Sequence, residues 1–255
     1  MPIIQFVLAL VILGVLYTRM IRREEPNQIS KMQAVIPVVF GVVSVPVSFF
    51  LFLGIGSLLV KTGISFNQLP AAVSSIIRAF FVAGFPEEIT KLLFMLLSIL
   101  IFRSRIRNVY EYVLVGAGVG MGFTVLEEFF YGSDGLSALL RIITLGAHMI
   151  FGMIMARHLG MASCKKANGE TGVAAERFLA IVIPVIIHTL FDASNGTNRM
   201  LESSNDIEQI IGIVVSLAGT AVLFALQIII LRGFRKKSGE YCGLMTANPV
   251  KDTLT

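Results

Sequence analysis

Charge is what this sequence has least of. Only 15% of its 255 residues are Asp, Glu, Lys or Arg, against 55% hydrophobic residues, and the mean hydropathy is +0.82. A soluble domain carries about 25% charged residues, so the composition implies one integral membrane domain over residues 1–255 and leaves no room for a second, soluble one. Cysteine is nearly absent. Cys164 and Cys242 stand too far apart for zinc-site spacing and give no disulfide framework. No internal repeat and no low-complexity run is visible. The first apolar segment lacks a preceding basic residue and a following small-residue cleavage site, so it reads as a retained helix and not as a removed signal. The GxSxG turn and the HExxH helix are missing, as is any Ser–His or Cys–His pairing at depth, which argues against a serine or cysteine nucleophile and against the common zinc-protease helix. The net charge of +5 does not imply nucleic acid, because the basic residues cluster at the ends of apolar segments, where they set topology and meet headgroups.

What is present in quantity is hydrophobic length. A spanning helix needs roughly 20 mostly apolar residues. Segments 3–19, 33–60, 70–102, 110–131, 138–158, 178–195 and 208–231 qualify. The expected fold is an all-α, polytopic membrane helix bundle of about seven spans, or eight with a broken third. In that third segment Gly84-Phe85-Pro86 either ends an amphipathic piece that starts after Pro70, leaving Glu87 and Glu88 in the first turn of a half-helix, or kinks one long span. Pro37 and Pro46 are expected to bend the second. Basic residues follow the odd-numbered spans: four after the first, three after the third, four after the fifth and five after the seventh, 16 of the 21. The positive-inside rule then puts the protein in the cell membrane with its N-terminus extracytoplasmic and its C-terminus cytoplasmic. The polar tail 238–255 is expected to be mobile.

Against this background the buried ionisable residues stand out: Glu87, Glu88 and Lys91 in the third span, Glu127 and Glu128 in the fourth, His148 in the fifth, His188 and Asp192 in the sixth. Such residues in hydrocarbon face a bundle interior or a wet cavity and mark function. With the sidedness above, all lie in the outer half of the bilayer. His148 comes about 15 Å below Ala138, and Glu87 about 12 Å below Ala79, at 1.5 Å per residue. A lone buried histidine is more often an interhelical bond than a reactive group. Polar residues on four helices that agree in depth argue for one site. Lys91 is three and four residues from the two glutamates, and Asp192 four from His188, spacings that share a helical face. Within each Glu pair one member is expected to face the site and the other a supporting bond. His158 and Arg157 read as interfacial, Arg199 and Arg141 as solvated or headgroup-bound, although Arg141 is also placed to meet a substrate carbonyl. Gly116, Gly118, Gly120 and Gly122 signal close helix packing.

Carboxylates, imidazoles and trapped water suit hydrolysis. A carboxylate partly stripped of water is a better base toward a water molecule, and an imidazole can donate to a developing oxyanion. Two histidines plus carboxylates also suit zinc. The residues leave both a glutamate-activated and a metal-bound water open. No cofactor is favoured; zinc, if held, would take His148, His188 and Asp192 with Glu87 or Glu127. The rivals are an ion- or proton-coupled transporter and a zinc-dependent lipid hydrolase. Carriers of the first kind usually show repeats and midplane sites.

The ordered set Glu87-Glu88-Ile89-Thr90-Lys91, Phe123 with Glu127, His148 with Gly152, and His188 with Asp192 resembles the PrsW family of intramembrane proteases. That family is similar in its motifs to type II CAAX prenyl proteases and bacteriocin-processing enzymes. The resemblance covers the catalytic core, about 80–195. It implies peptide-bond hydrolysis of a membrane-anchored protein, of the anti-sigma-factor type, on the extracytoplasmic side. It implies Glu87 as general base with Glu88 beside it, Glu127 positioning water, His188 and Asp192 binding or orienting the oxyanion, and His148 completing the pocket. Lys91 and Glu128 would support. Glu128 departs from the asparagine expected at that place in the family.

Overall fold

Ser30 opens one of the two longest helices described. Its hydroxyl accepts from Gln33 N while Gln33 reaches back to Ser30 N, a capping box that satisfies two donors left over at a helix start. We describe a computed structural model covering residues 2–23, 29–63, 66, 68–130 and 135–246. The elements run α1 (Pro2–Ile21), α2 (Lys31–Lys61), α3 (Ala71–Ala79), a π turn (Phe80–Gly84), α4 (Phe85–Ile101), α5 (Val109–Phe130), α6 (Gly135–Thr144), α7 (Ala147–Ala167), α8 (Val173–Ser194), a 3-10 turn (Arg199–Glu202), α9 (Asp206–Lys236) and α10 (Ser238–Gly243). No strand is present among the described residues, and six helical stretches are long and apolar enough to cross a membrane. The protein is a polytopic all-α membrane bundle, as its sequence implies.

The third expected span takes neither a clean break nor a simple kink. Helix runs continuously from Ala71 to Ile101, with the π turn joining α3 to α4. Pro86 is the cause: its ring crowds the carbonyl one turn back and it carries no N–H, so an ordinary i→i−4 ladder cannot pass through it. The backbone N–H of Phe85 instead bonds Phe80 O, five residues back. Such π bulges recur at functional sites, and this one delivers Glu87 and Glu88 immediately after it. By contrast, α2 stays helical through Pro37 and Pro46.

Helix α5 is the axis of the bundle, packed on α7, α2 and α1 and buried along most of its length. The glycine run explains how so many helices approach it. A side chain on Gly116 or Gly120 would collide with the α7 backbone at Gly152 or His148, and one on Gly118 or Gly122 with Tyr17, Pro37 or Val38 of α1 and α2. Alternate glycines thus clear opposite faces of one helix, the close packing expected of small-xxx-small spacing. Helices α2 and α9 are mostly exposed, with Phe49, Phe50, Ile210, Val214 and Val222 presenting apolar surface suited to lipid. Residues 238–246 of the expected tail fold back on the bundle: Tyr241 is buried, Met245 bridges Asn108, and Thr246 N bonds Arg107 O at 2.8 Å. The rest of that tail, 247–255, lies outside the described residues.

Candidate active site

The expected site residues meet. Lys91 is the hub, with a side chain wholly buried and its ammonium over the face of Phe123, 3.9 Å from the ring centre. It donates to Glu88 Oε1 at 2.7 Å and to His148 Nδ1 at 2.8 Å, and lies 3.5 Å from Glu87 Oε2. With Nδ1 of His148 accepting from the lysine, Nε2 carries the proton and donates to Glu127 Oε2 at 2.5 Å. His188 meets the network through its Nδ1, which donates to Glu88 Oε1 at 2.8 Å. One carboxylate oxygen of Glu88 therefore receives both the ammonium and the second imidazole. Its other oxygen, Oε2, is buried without a hydrogen-bond partner among the described residues. A buried orphan acceptor of this kind calls for a water or an ion.

Local structure explains why these groups meet. Gly84, in the π turn, has no room for a Cβ because Thr189 of α8 fills the space, so α8 approaches closely one residue from His188. Gly120 does the same for α7 at His148, whose carbonyl sits where a Cβ would go. The two imidazoles then meet edge to face, ring centres 5.1 Å apart.

A cavity of about 400 Å³ opens beside this network, its walls including Glu127, Arg141, His148, Phe151, His188 and Asp192. Glu87 and Glu88 are not wall residues; they touch the wall through His188. On that wall His188 Nε2 lies 3.8 Å from Glu87 Oε2 and 3.6 Å from Asp192 Oδ2. Both gaps are too long for a direct hydrogen bond and short enough for one small bridging species. Asp192 thus does not orient His188 through a bond, as the four-residue spacing suggested; Glu88 does. Nor do the first two glutamates divide their faces as expected, because Glu87 and Glu88 both reach Lys91 and His188.

Arg141 is not a solvated or headgroup-bound residue. It donates to Glu128 Oε1 through Nη2 at 2.7 Å and Nε at 3.1 Å, and its Nη2 lies 3.4 Å from Glu127. It holds the second acidic pair: both acids line the cavity, Glu128 bound by the arginine and Glu127 shared between the arginine and His148. The signal for it was a lone arginine near an acid pair in a neighbouring span. His158 is not interfacial either: it is buried, with Nδ1 2.6 Å from Glu176 Oε2.

Glu87, His148 and His188 bring one ligand atom each within 4.8 Å of one another. Two imidazoles and a carboxylate are a zinc donor set, and the orphan oxygen of Glu88 nearby is in keeping with it. Asp192 and Glu127, weighed as ligands from sequence, fall outside this trio.

Two comparisons bear on these residues. The model of a family described as PrsW family intramembrane metalloprotease matches residues 30–230. A curated relative, Protease PrsW of Halalkalibacterium halodurans, is 27% identical over 121 residues, 46% of this chain and 54% of its own length. The chain therefore spans about half of that relative. No solved structure matches.

Proposed function

The chain belongs to the PrsW family, and we propose that it is an intramembrane endopeptidase that hydrolyses a peptide bond of a membrane-anchored protein with a glutamate-activated water. The observation that carries this reading is His188 Nε2, held on the wall of an intramembrane cavity with carboxylate oxygens of Glu87 and Asp192 at 3.8 and 3.6 Å. A water bridging these three atoms is in place to lose a proton to Glu87 and attack a carbonyl. His188, protonated on both nitrogens, donates to Glu88 through Nδ1 and to the developing oxyanion through Nε2. Lys91 fixes Glu88, and the His148–Glu127–Arg141–Glu128 chain holds the opposite wall. Positive-inside counting supports cleavage toward the extracytoplasmic face, and the family resemblance supports a substrate of the anti-sigma-factor type.

A zinc ion would be held by Glu87, His148 and His188, with His148 giving up its bond to Lys91 or to Glu127, and would supply a bound water ionised near neutral pH. Glu87 and His188 would then act as ligands and not as base and oxyanion donor, while Lys91 would still fix Glu88 and Arg141 would still hold Glu128. Full-length protein in lipid discs with tagged single-pass substrates tests both. Cleavage is expected to fall by about 100-fold or more in Glu87→Gln and His188→Ala, the scale of losing a general base or an oxyanion donor. Retention in chelator supports the glutamate mechanism, and loss restored by zinc supports the metal. Ion-driven uptake into proteoliposomes with no proteolysis, or full activity in Glu87→Gln, would sink the proposal.

A further inference from the structure

A second cavity, of about 190 Å³, shares no wall residue with the acidic one. It lies between the C-terminal ends of α1 and α9, where Arg19 and Arg23 face Arg232 and Arg235 over a floor that includes Tyr110 and Phe234. No described wall residue is acidic, and none of the four arginines forms a salt bridge among the described residues. Arg23 is half-buried and Arg19, Arg232 and Arg235 are exposed, so the guanidinium groups can be reached from outside the bundle. Four guanidinium groups gathered on one small cavity repel one another unless an anion joins them.

The cavity is also amphipathic. Leu16 and Leu231 line it, and the neighbouring turns of α1 and α9 expose Ile12, Val15 and Ile229 to the surroundings of the bundle. A free inorganic anion has no use for such a wall; an acyl chain does. Guanidinium forks match phosphate oxygens in pairs, and basic pockets between spanning helices take phospholipid headgroups. We propose that this cavity binds an anionic phospholipid, its phosphate among Arg19, Arg23, Arg232 and Arg235 and its chains over Leu16 and Leu231. Bound there, the lipid ties the first helix to the last long one. This inference does not depend on the proteolytic reading.

Full-length protein in phosphatidylcholine discs, titrated with phosphatidylglycerol and followed by native mass spectrometry, tests it. The wild type is expected to take up phosphatidylglycerol saturably, and binding to weaken roughly fivefold for each arginine removed. The double variants Arg19→Gln/Arg23→Gln and Arg232→Gln/Arg235→Gln each read one side of the cavity, and combining them abolishes saturable binding. A charge-matched control, Arg22→Gln/Arg103→Gln/Lys236→Gln/Lys237→Gln, keeps it. Equal weakening in the control would reduce the effect to general surface charge and overturn the proposal. Displacement of the lipid by millimolar inorganic phosphate would overturn it in favour of a free-anion site.

Discussion

Helix α7 carries two histidines ten residues apart, and the molecule treats them almost alike. His148 and His158 are both 8% exposed, each has a carboxylate on one ring nitrogen, and each carboxylate has a second basic partner. They differ in where the chain of bonds ends. Around His158 the polar groups close on themselves: Glu176 receives His158 on one oxygen at 2.6 Å and Lys165 on the other at 2.7 Å, and Arg157 lies at the remaining ring nitrogen. Around His148 the bonds run on through Lys91 and Glu88 to His188, whose Nε2 has no direct hydrogen bond on the cavity wall and lies 3.8 and 3.6 Å from carboxylate oxygens of Glu87 and Asp192. A buried imidazole–carboxylate pair is a fastener when every polar atom is taken. It is a candidate site when one is left over beside room for a reactant.

The most damaging test of this contrast is Lys91→Met. It leaves two buried carboxylates and His148 without their cation, so stability is expected to fall by about 3–5 kcal/mol, together with loss of cleavage. Denaturation of the detergent-solubilised protein reads the first effect. Wild-type stability in this variant would mean that the network does not organise the core. Gly120→Val comes next. Its side chain would strike the His148 carbonyl and Met149, so overpacking is expected to cost about 1–3 kcal/mol and displacement of His148 to slow cleavage on the order of 100-fold. A variant that keeps full cleavage would show that the α5–α7 approach does not position His148. The smallest effect belongs to His158→Ala, expected to lose about 1 kcal/mol or less, the scale of an interhelical polar bond in a membrane protein, with cleavage unchanged. If His158→Ala abolished cleavage while remaining folded, the distinction between the closed and the open histidine would fail.

Much of this was legible in the chain itself. Hydrophobic length marked the spans, because a bilayer fixes how many apolar residues a crossing takes. Glu87, Glu88, Lys91, Glu127, His148, His188 and Asp192 were legible for the converse reason, that ionisable groups at such depth need a cavity or a partner. The fastener at His158 and the arginine clamp on Glu128 were not. His158 and Glu176 lie 18 residues apart on different helices, and Arg141 and Glu128 13 apart across a turn, separations at which no helical periodicity brings side chains together. The π turn was half legible: Pro86 promised a disturbance, but not that the helix would widen and run on, with Gly84 closing on Thr189.

From residues alone, then, came the class of fold and the inventory of groups able to react, since burying a charge in lipid is costly enough to be read one helix at a time. Which imidazole nitrogen is bonded, which carboxylate is saturated and where a cavity remains were settled by helices distant in sequence closing over glycines. Those outcomes depend on ångström separations between side chains of different spans, and a linear pattern holds no such distances.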